Sequence, residues 1–282
     1  STGEVEENMS IRRRLAVNVN DSKNTRMDVG SALTCWKPDE LGHISRYCKI
    51  AALIIEESRT IGRPLHLLEA GCGQVWVLRH IYRAMMVKKS EVAASYLGID
   101  IDSAILVEIE GWSSAANVND SSWLRAFGGR IQVQDLTVLP RFELPDASID
   151  CFWSTEVIEH MKPEFVEPWI ADAARCLRPA GLAYISTPNH DGSNAELPLD
   201  HVYEWGHQEL RSLLEKYFHI EQVAGVFIQM PKFRRAQRDL RRWPDAVVAD
   251  IESRFSPEWQ RVILATAYPE YANNAAFIMR KL

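Results

Sequence analysis

Short apolar runs in this chain end, one after another, on a carboxylate or a glycine turn. Leu65 to Leu68 leads into Glu69-Ala-Gly71-Cys-Gly73, and Ser95 to Ile99 ends at Asp100. Ile131 to Val133 stops near Asp135, Ile149 to Trp153 near Glu156, and Leu182 to Ser186 at Thr187-Pro188-Asn189. Between these runs, apolar residues recur at helical spacing over 75–87, 164–176 and 207–217. Short continuous apolar runs read as strands buried on both faces. Their alternation with helices calls for a mostly parallel sheet covered on both sides, so the predicted class is α/β. In such a sheet ligands sit beyond the carboxyl ends of the strands. Glu69, Asp100, Asp135, Glu156 and Asn189 all fall at predicted strand ends and so point to one site.

The rest of the chain arranges itself around that core. Residues 1–30 are polar and read as a loose arm. Leu41, Ile44, Tyr47, Ile50, Ala51, Leu53 and Ile54 give a helix over 39–60. The polar stretch 111–128 reads as an insertion, and Arg178-Pro-Ala-Gly181 as a helix stop. Ile220 to Val226 and Ala275 to Met279 are the expected last strands. We therefore expect an N-terminal arm and helix over 1–60 and one domain over 61–282. Within that domain, 227–273 is an inserted cap or substrate-binding segment.

Composition narrows the function classes. The chain has 282 residues, 46% hydrophobic and 25% charged, which fits a globular fold with a sizeable core. The formal net charge of -6 argues against bulk attraction to nucleic acid or an anionic membrane. Cys35, Cys48, Cys72, Cys151 and Cys176 are odd in number and form no CxxC pair. A disulfide framework or cysteine zinc site is not expected, and a reducing cytoplasm is the simple reading. Ser1 to Arg14 has no apolar stretch of the kind that marks a secretory signal, and no run has the length of a membrane span.

Several residues can carry chemistry. Glycines after the first strand let backbone amides approach a ligand closely. Asp100 can accept hydrogen bonds from both hydroxyls of a ribose, and Asp135 can reach an adenine edge. Asp102 reads better as a helix cap. Glu156, Glu159 and His160 are spaced i, i+3, i+4 and share a helical face. With His201, in the segment DHVYEW (200–205), they could hold one divalent ion such as Mg²⁺ or Mn²⁺; they could equally line a pocket without metal. A general base is best sought among Glu156, His160 and His201, with His190 and His207 behind them. Arg234, Arg238, Arg241 and Arg242 share a helical face that reads as a solvated surface or as a binding strip for an anionic substrate. Arg12-Arg13-Arg14 reads as part of the arm.

The segments LLEAGCG (67–73), YLGIDID (96–102), IQVQD (131–135), LPDASIDCFWSTEVIEHM (144–161) and LRPAGLAYISTPN (177–189) occur in this order. Together they resemble the class I S-adenosylmethionine (SAM)-dependent methyltransferases over 64–226. The resemblance implies a Rossmann-like, mostly parallel seven-stranded sheet with helices on both faces, and SAM as cofactor. It places Glu69, Gly71 and Gly73 at the methionine end, Asp100 at the ribose, and Asp135 with Leu136 at the adenine. Glu156, His160 and His201 become the catalytic candidates. Val75 stands where the family often has a third glycine. No GxGxxG follows the first strand, which disfavours a nicotinamide cofactor. EVIEH (156–160), STPN (186–189) and DHVYEW (200–205) also resemble the Hen-type small-RNA 2′-O-methyltransferases. By that likeness Glu156, Glu159, His160 and His201 would be metal ligands. His190 to Asn194 and Gly206-His207 depart from that pattern. The expected acceptor is a small molecule or glycan, with RNA as the alternative that the narrower likeness implies and no membrane partner. A SAM-fold protein that binds without methylating is the remaining alternative.

Overall fold

Seven strands form one sheet in the order β3-β2-β1-β4-β5-β7-β6. The computed structural model describes residues 38–88, 91–104, 124, 128–190 and 196–282. The arm over 1–30, with Arg12 to Arg14, lies outside the described residues, as does the insertion 111–128 apart from Leu124 and Gly128. Helix α1 (Pro38–Ile61) precedes β1 (Leu65–Ala70), α2 (Trp76–Lys88), β2 (Ala93–Asp100), β3 (Gly129–Val133) and β4 (Ile149–Thr155). A 3-10 turn (Ile158–His160) then leads to α3 (Pro163–Cys176), β5 (Leu177–Pro188), α4 (His207–Leu214) and β6 (Phe218–Phe227). Helices α5 (Met230–Leu240), α6 (Asp245–Arg254) and α7 (Pro257–Ala265) come before β7 (Asn274–Lys281). The first five strands run parallel, and β7 runs antiparallel between β5 and β6.

Strand alternation divides the core between the two faces. On β1, Leu65 and Leu67 pack with Ile50 and Ile54 of α1 and Leu78 and Ile81 of α2. Leu68 and Ala70 face the other way, onto Val166, Trp169 and Ile170 of α3 and Leu210 and Leu214 of α4. Both faces are covered, which is why the strands read as continuous apolar runs. A satellite core joins α5, α6 and α7 through Phe233, Ala236, Val248, Ile251 and Leu264. The basic face of α5 is not a free cationic strip. The helix ends at Leu240, with Arg241 left-handed, so the expected four-arginine helical face is not formed; Arg234 pairs with Glu252 of α6, and Arg242, beyond the helix, pairs with Glu270 at 2.8 Å.

One local expectation is corrected. Arg178 to Gly181 does not separate helix from strand. The strand begins at Leu177, which pairs with Ile149; pairing then resumes at Cys151 with Leu182, leaving an irregularity between. The extra residues are anchored at Asp150, whose buried carboxylate receives Arg178, both terminal nitrogens of Arg63 (2.7 and 3.0 Å) and the His66 amide (2.8 Å). Burial pushes the Asp150 pKa up, but Arg63, the amide and Arg178 outweigh it and hold the carboxyl below its usual value. This clamp ties the amino-terminal ends of β1, β4 and β5 together.

Glu69 sits at the carboxyl end of β1 on the α1/α2 face and is almost completely buried. The Tyr96 hydroxyl donates to it at 2.5 Å. Burial raises the Glu69 pKa from 4.5 to about 8, against the opposing effect of the Tyr96 bond. The folded protein therefore keeps a proton here that an unfolded chain releases above 4.5. The associated stability is complete at low pH and falls as pH rises toward 8, by at most about 1.4 kcal/mol per pH unit. Glu69→Gln keeps the shape without the charge. Its stability relative to wild type, measured by urea denaturation across this range, is expected to increase with pH; parallel curves would contradict the assignment.

Candidate active site

The strand order reverses direction between β1 and β4, and the site forms there, beyond the carboxyl ends of the strands. Gly71 and Gly73 both have positive φ, 69° and 45°. A Cβ on Gly71 would lie 2.1 Å from Val157 Cγ2, so the turn after β1 and the turn after β4 touch with no room for a side chain. Above Gly73 no described residue lies within 4 Å of the corresponding point. Val75 adopts φ 51°, the conformation glycine would take more cheaply. Its side chain is fully buried, which offsets that strain.

Asp100 is held by the turn it serves. Its Oδ2 accepts from the Gly73 amide at 2.8 Å and its Oδ1 from the Asp102 amide at 3.0 Å. Both oxygens are thus engaged by backbone amides, which orient the carboxylate at the end of β2. Asp102 accepts from the Ala104 amide at 2.9 Å, the cap expected of it. Asp135 Oδ1 receives the Thr137 amide (2.9 Å) and hydroxyl (2.6 Å). Leu136 is buried in the core on the α3 face. An open glycine turn, an oriented carboxylate after β2 and a second one after β3 fit a nucleoside-bearing ligand with a polar tail. Glu69 would support the turn through Tyr96, because its carboxyl is buried.

Beside the turn lies a cavity of about 400 Å³, lined among others by His43, Glu156, Asn189, His201, Glu204 and Asn274. Glu156 follows β4 with φ 55°, a rare backbone state for a residue with a side chain. Two partners hold it. Asn274 Nδ2, at the start of β7, donates at 2.5 Å, and Arg46 Nη1 of α1 lies at 2.6 Å. The Arg46 side chain is fully buried. Burial opposes its charge, but Glu156, with Tyr47 and Tyr184 nearby, holds its pKa above the usual value.

The predicted four-residue cluster is brought into one region but not into a ligand set. Glu159 is buried and accepts from the Thr187 hydroxyl at 2.9 Å, and its backbone carbonyl takes the Val202 and Tyr203 amides. Those two amides fasten the 201–205 loop beside the turn after β4. His160 and His201 lie edge to face, with centroids 5.4 Å apart. His160 Nδ1 bonds the Asp200 carbonyl at 2.7 Å, while its Nε2 is 3.9 Å from Glu159. Glu156 is occupied by Arg46 and Asn274. Among the described residues, no three His, Cys, Asp or Glu side chains are placed to hold a metal ion. The donor set does not fit Mg²⁺ or Mn²⁺.

His201 has a different partner. Its Nδ1 lies 2.7 Å from Glu204 Oε1, and both residues line the cavity. An ionised carboxylate can only accept, so Nδ1 carries a proton and Nε2 is the nitrogen left for a ligand in the cavity. His190 also lines the cavity, whereas the His207 ring packs against Phe277. Burial lowers the His207 pKa. Sequence reasoning missed Glu204, Asn274, His43 and Arg46. A signal existed for Arg46: it falls four and eight residues before Ile50 and Ile54, on the apolar stripe of α1.

A family model described as "Methyltransferase domain" matches residues 42–258. A protein of Mycolicibacterium smegmatis named "Probable S-adenosylmethionine-dependent methyltransferase" is 32% identical over 176 residues, 60% of this chain and 57% of its own. One of the same description from Mycobacterium tuberculosis is 29% identical over 152 residues, 52% of this chain and 46% of its own. The chain thus matches about half the length of these relatives. Among solved structures, the Burkholderia thailandensis 1,6-didemethyltoxoflavin-N1-methyltransferase, with 1,6-didemethyltoxoflavin and S-adenosylhomocysteine bound, superposes with a TM-score of 0.54 at 15% identity. That match covers 98% of this chain and 89% of the other. The [4+2]-cyclase SpnF gives 0.50 at 19% identity, covering 83% and 80%. These two likenesses bear on the fold, and the family model reaches across the greater part of the sequence: this chain belongs to the methyltransferase domain family.

Proposed function

We propose that this protein binds SAM at the glycine turn and transfers its methyl group to an oxygen or nitrogen of a small, polar acceptor. The reading is carried by Asp100, whose carboxylate is oriented by the Gly73 amide of the glycine turn. The names of the mycobacterial relatives support the same cofactor. Asp100 would take the ribose hydroxyls, Asp135 the adenine edge, and Gly71 to Gly73 the methionine end. The sulfonium of SAM supplies an electrophilic methyl group, so the protein's task is alignment and exclusion of water.

The cavity supports a small-molecule or glycan-like acceptor. Its volume suits a small ligand, and its histidines, asparagines and carboxylates suit one rich in hydroxyl or carbonyl groups. Phe227, Lys232 and Asn273 contribute to its wall, which supports residues 227–273 as the acceptor-recognition segment. His201 is the general base in this reading. Its Nε2 takes the proton that the attacking oxygen or nitrogen loses, and Glu204 stabilises the resulting imidazolium. Glu156, tied to Arg46 and Asn274, shapes the wall; His160 buttresses His201. No helix among the described residues is long and apolar enough to cross a membrane. The described cysteines, Cys48, Cys72, Cys151 and Cys176, are free, which supports a reducing, cytoplasmic setting.

Asp100→Ala should weaken SAM and S-adenosylhomocysteine binding by about 1.5–3 kcal/mol, the loss of charge-assisted hydrogen bonds. Calorimetry on the folded variant checks this, and undiminished affinity would sink the cofactor assignment.

His201→Gln should lower kcat by about 10²–10⁴-fold at unchanged SAM affinity, with a smaller loss in Glu204→Gln. Methyl transfer to a panel of hydroxylated metabolites, sugars and RNA 3′ ends supplies the assay. Excess chelator should leave the rate unchanged; a rate restored only by Mg²⁺ or Mn²⁺ would replace this mechanism with a metal-assisted one.

A further inference from the structure

We infer that His43 recognises the methyl acceptor: its Nδ1 is locked against Arg46, and its Nε2–H donates a hydrogen bond to a lone-pair oxygen or nitrogen on that molecule. The ring stands in the cavity wall with Glu156, Asn189 and Phe227. Its Nδ1 lies 2.8 Å from Arg46 Nη2. A guanidinium has only donors, so Nδ1 must be the acceptor and the imidazole proton must sit on Nε2. A second proton on Nδ1 would face an Arg N–H directly. Burial and the Arg46 charge together bring the His43 pKa down to about 3, so the ring is neutral at any working pH. The tautomer is set by a partner that cannot change its own role.

Four contacts fix the position of this donor. Gly42 lets α1 press onto β6, since a Cβ there would lie 2.8 Å from Phe227 Cδ1. The Phe227 ring in turn meets His43 edge-on, with centroids 6.5 Å apart. Arg46 is held by Glu156 at 2.6 Å and lies over the Tyr47 ring, 5.2 Å from its centre. Among the described residues no hydrogen-bond partner for His43 Nε2 is present, and the imidazole borders open space. The charged groups near it are Arg46 on its own helix, Glu156 after β4, and Lys232 of α5 in the same wall. A neutral N–H donor in a polar wall selects for carbonyl, hydroxyl, ether or carboxylate oxygen and for unprotonated nitrogen. It selects against an ammonium group, which has no lone pair to offer. His43 cannot be the base, which leaves proton removal to His201.

The inference rests on the methyl-transfer reading for what enters the cavity, but not for the state of the ring. Protein labelled with ¹⁵N-histidine, free of ligand, is followed by two-bond ¹H–¹⁵N spectra over roughly pH 5 to 8. The expected result is an Nε2–H tautomer that does not titrate in wild type, while Arg46→Met, which removes the donor facing Nδ1, lets the Nδ1–H tautomer appear. An Nδ1–H tautomer in wild type, or titration of His43 there, overturns the inference. N-methylpyrrolidone, a carbonyl acceptor with no donor, is then titrated in; a downfield shift of the Nε2–H proton supports the inference, and no shift overturns it. With an acceptor that the enzyme turns over, His43→Phe should raise the acceptor KM about tenfold, with kcat changed less than about threefold. S-adenosylhomocysteine affinity should be unchanged, and His43→Gln, which keeps a donor, should recover part of the loss. An unmoved KM, or an equal fall in kcat, overturns it. If no acceptor is methylated at all, the methyl-transfer reading fails, while the first two measurements still decide the state of His43.

Discussion

Parallel strands deliver all their carboxyl ends to one edge, and everything chemical in this protein follows from that. With β1 and β4 as central neighbours, the connections leave in opposite directions and the two following turns stand side by side. Gly71 and Val157 meet at that point, so the cofactor turn and the turn bearing Glu156 are one packed unit. A displacement of either turn must move the other, because interiors packed to this density deform little.

The two ends of the sheet handle charge differently. At the amino-terminal edge, Asp150 draws in Arg63, Arg178 and a backbone amide. That clamp is closed and structural. At the carboxyl edge, Arg46 divides its guanidinium between Glu156 and His43, and both of those partners also face the cavity. A fully buried arginine is costly unless paired. Here the pairing also sets the protonation of an imidazole and the direction of a carboxylate, so one buried charge organises two sides of a binding wall.

Much of this was legible in the sequence because strand ends carry a local signal. An apolar run stopped by Glu69, Asp100, Asp135 or Glu156 announces both the strand and its functional edge. Asp102 was readable as a cap, and the loop bearing His201 was readable as a neighbour of the turn after β4. Pairings across the fold were not readable. That Glu156 meets Arg46 and Asn274 depends on how α1 and β7 pack, and no local pattern records it. Arg234, Arg238, Arg241 and Arg242 look like one basic strip in the sequence, but α5 ends at Leu240 and Glu252 and Glu270 arrive from distant sequence. The metal reading failed to form a donor set for the same reason: helical spacing aligned Glu156 with Glu159 and His160, but the chain there makes only a 3-10 turn and Glu156 is in a left-handed conformation.

The position of β7 also ties the sheet to the site. It fills the slot between β5 and β6, pairing Ser186 with Ala276 on one side and Ala224 with Ala276 on the other. Until it arrives, β5 has an unpaired edge and β6 has no neighbour in the sheet. The strand that closes the sheet begins at Asn274, the residue that steadies Glu156. The same strand therefore completes both the sheet and the acceptor wall, and a change that shifts β7 in its slot also moves the partner of Glu156.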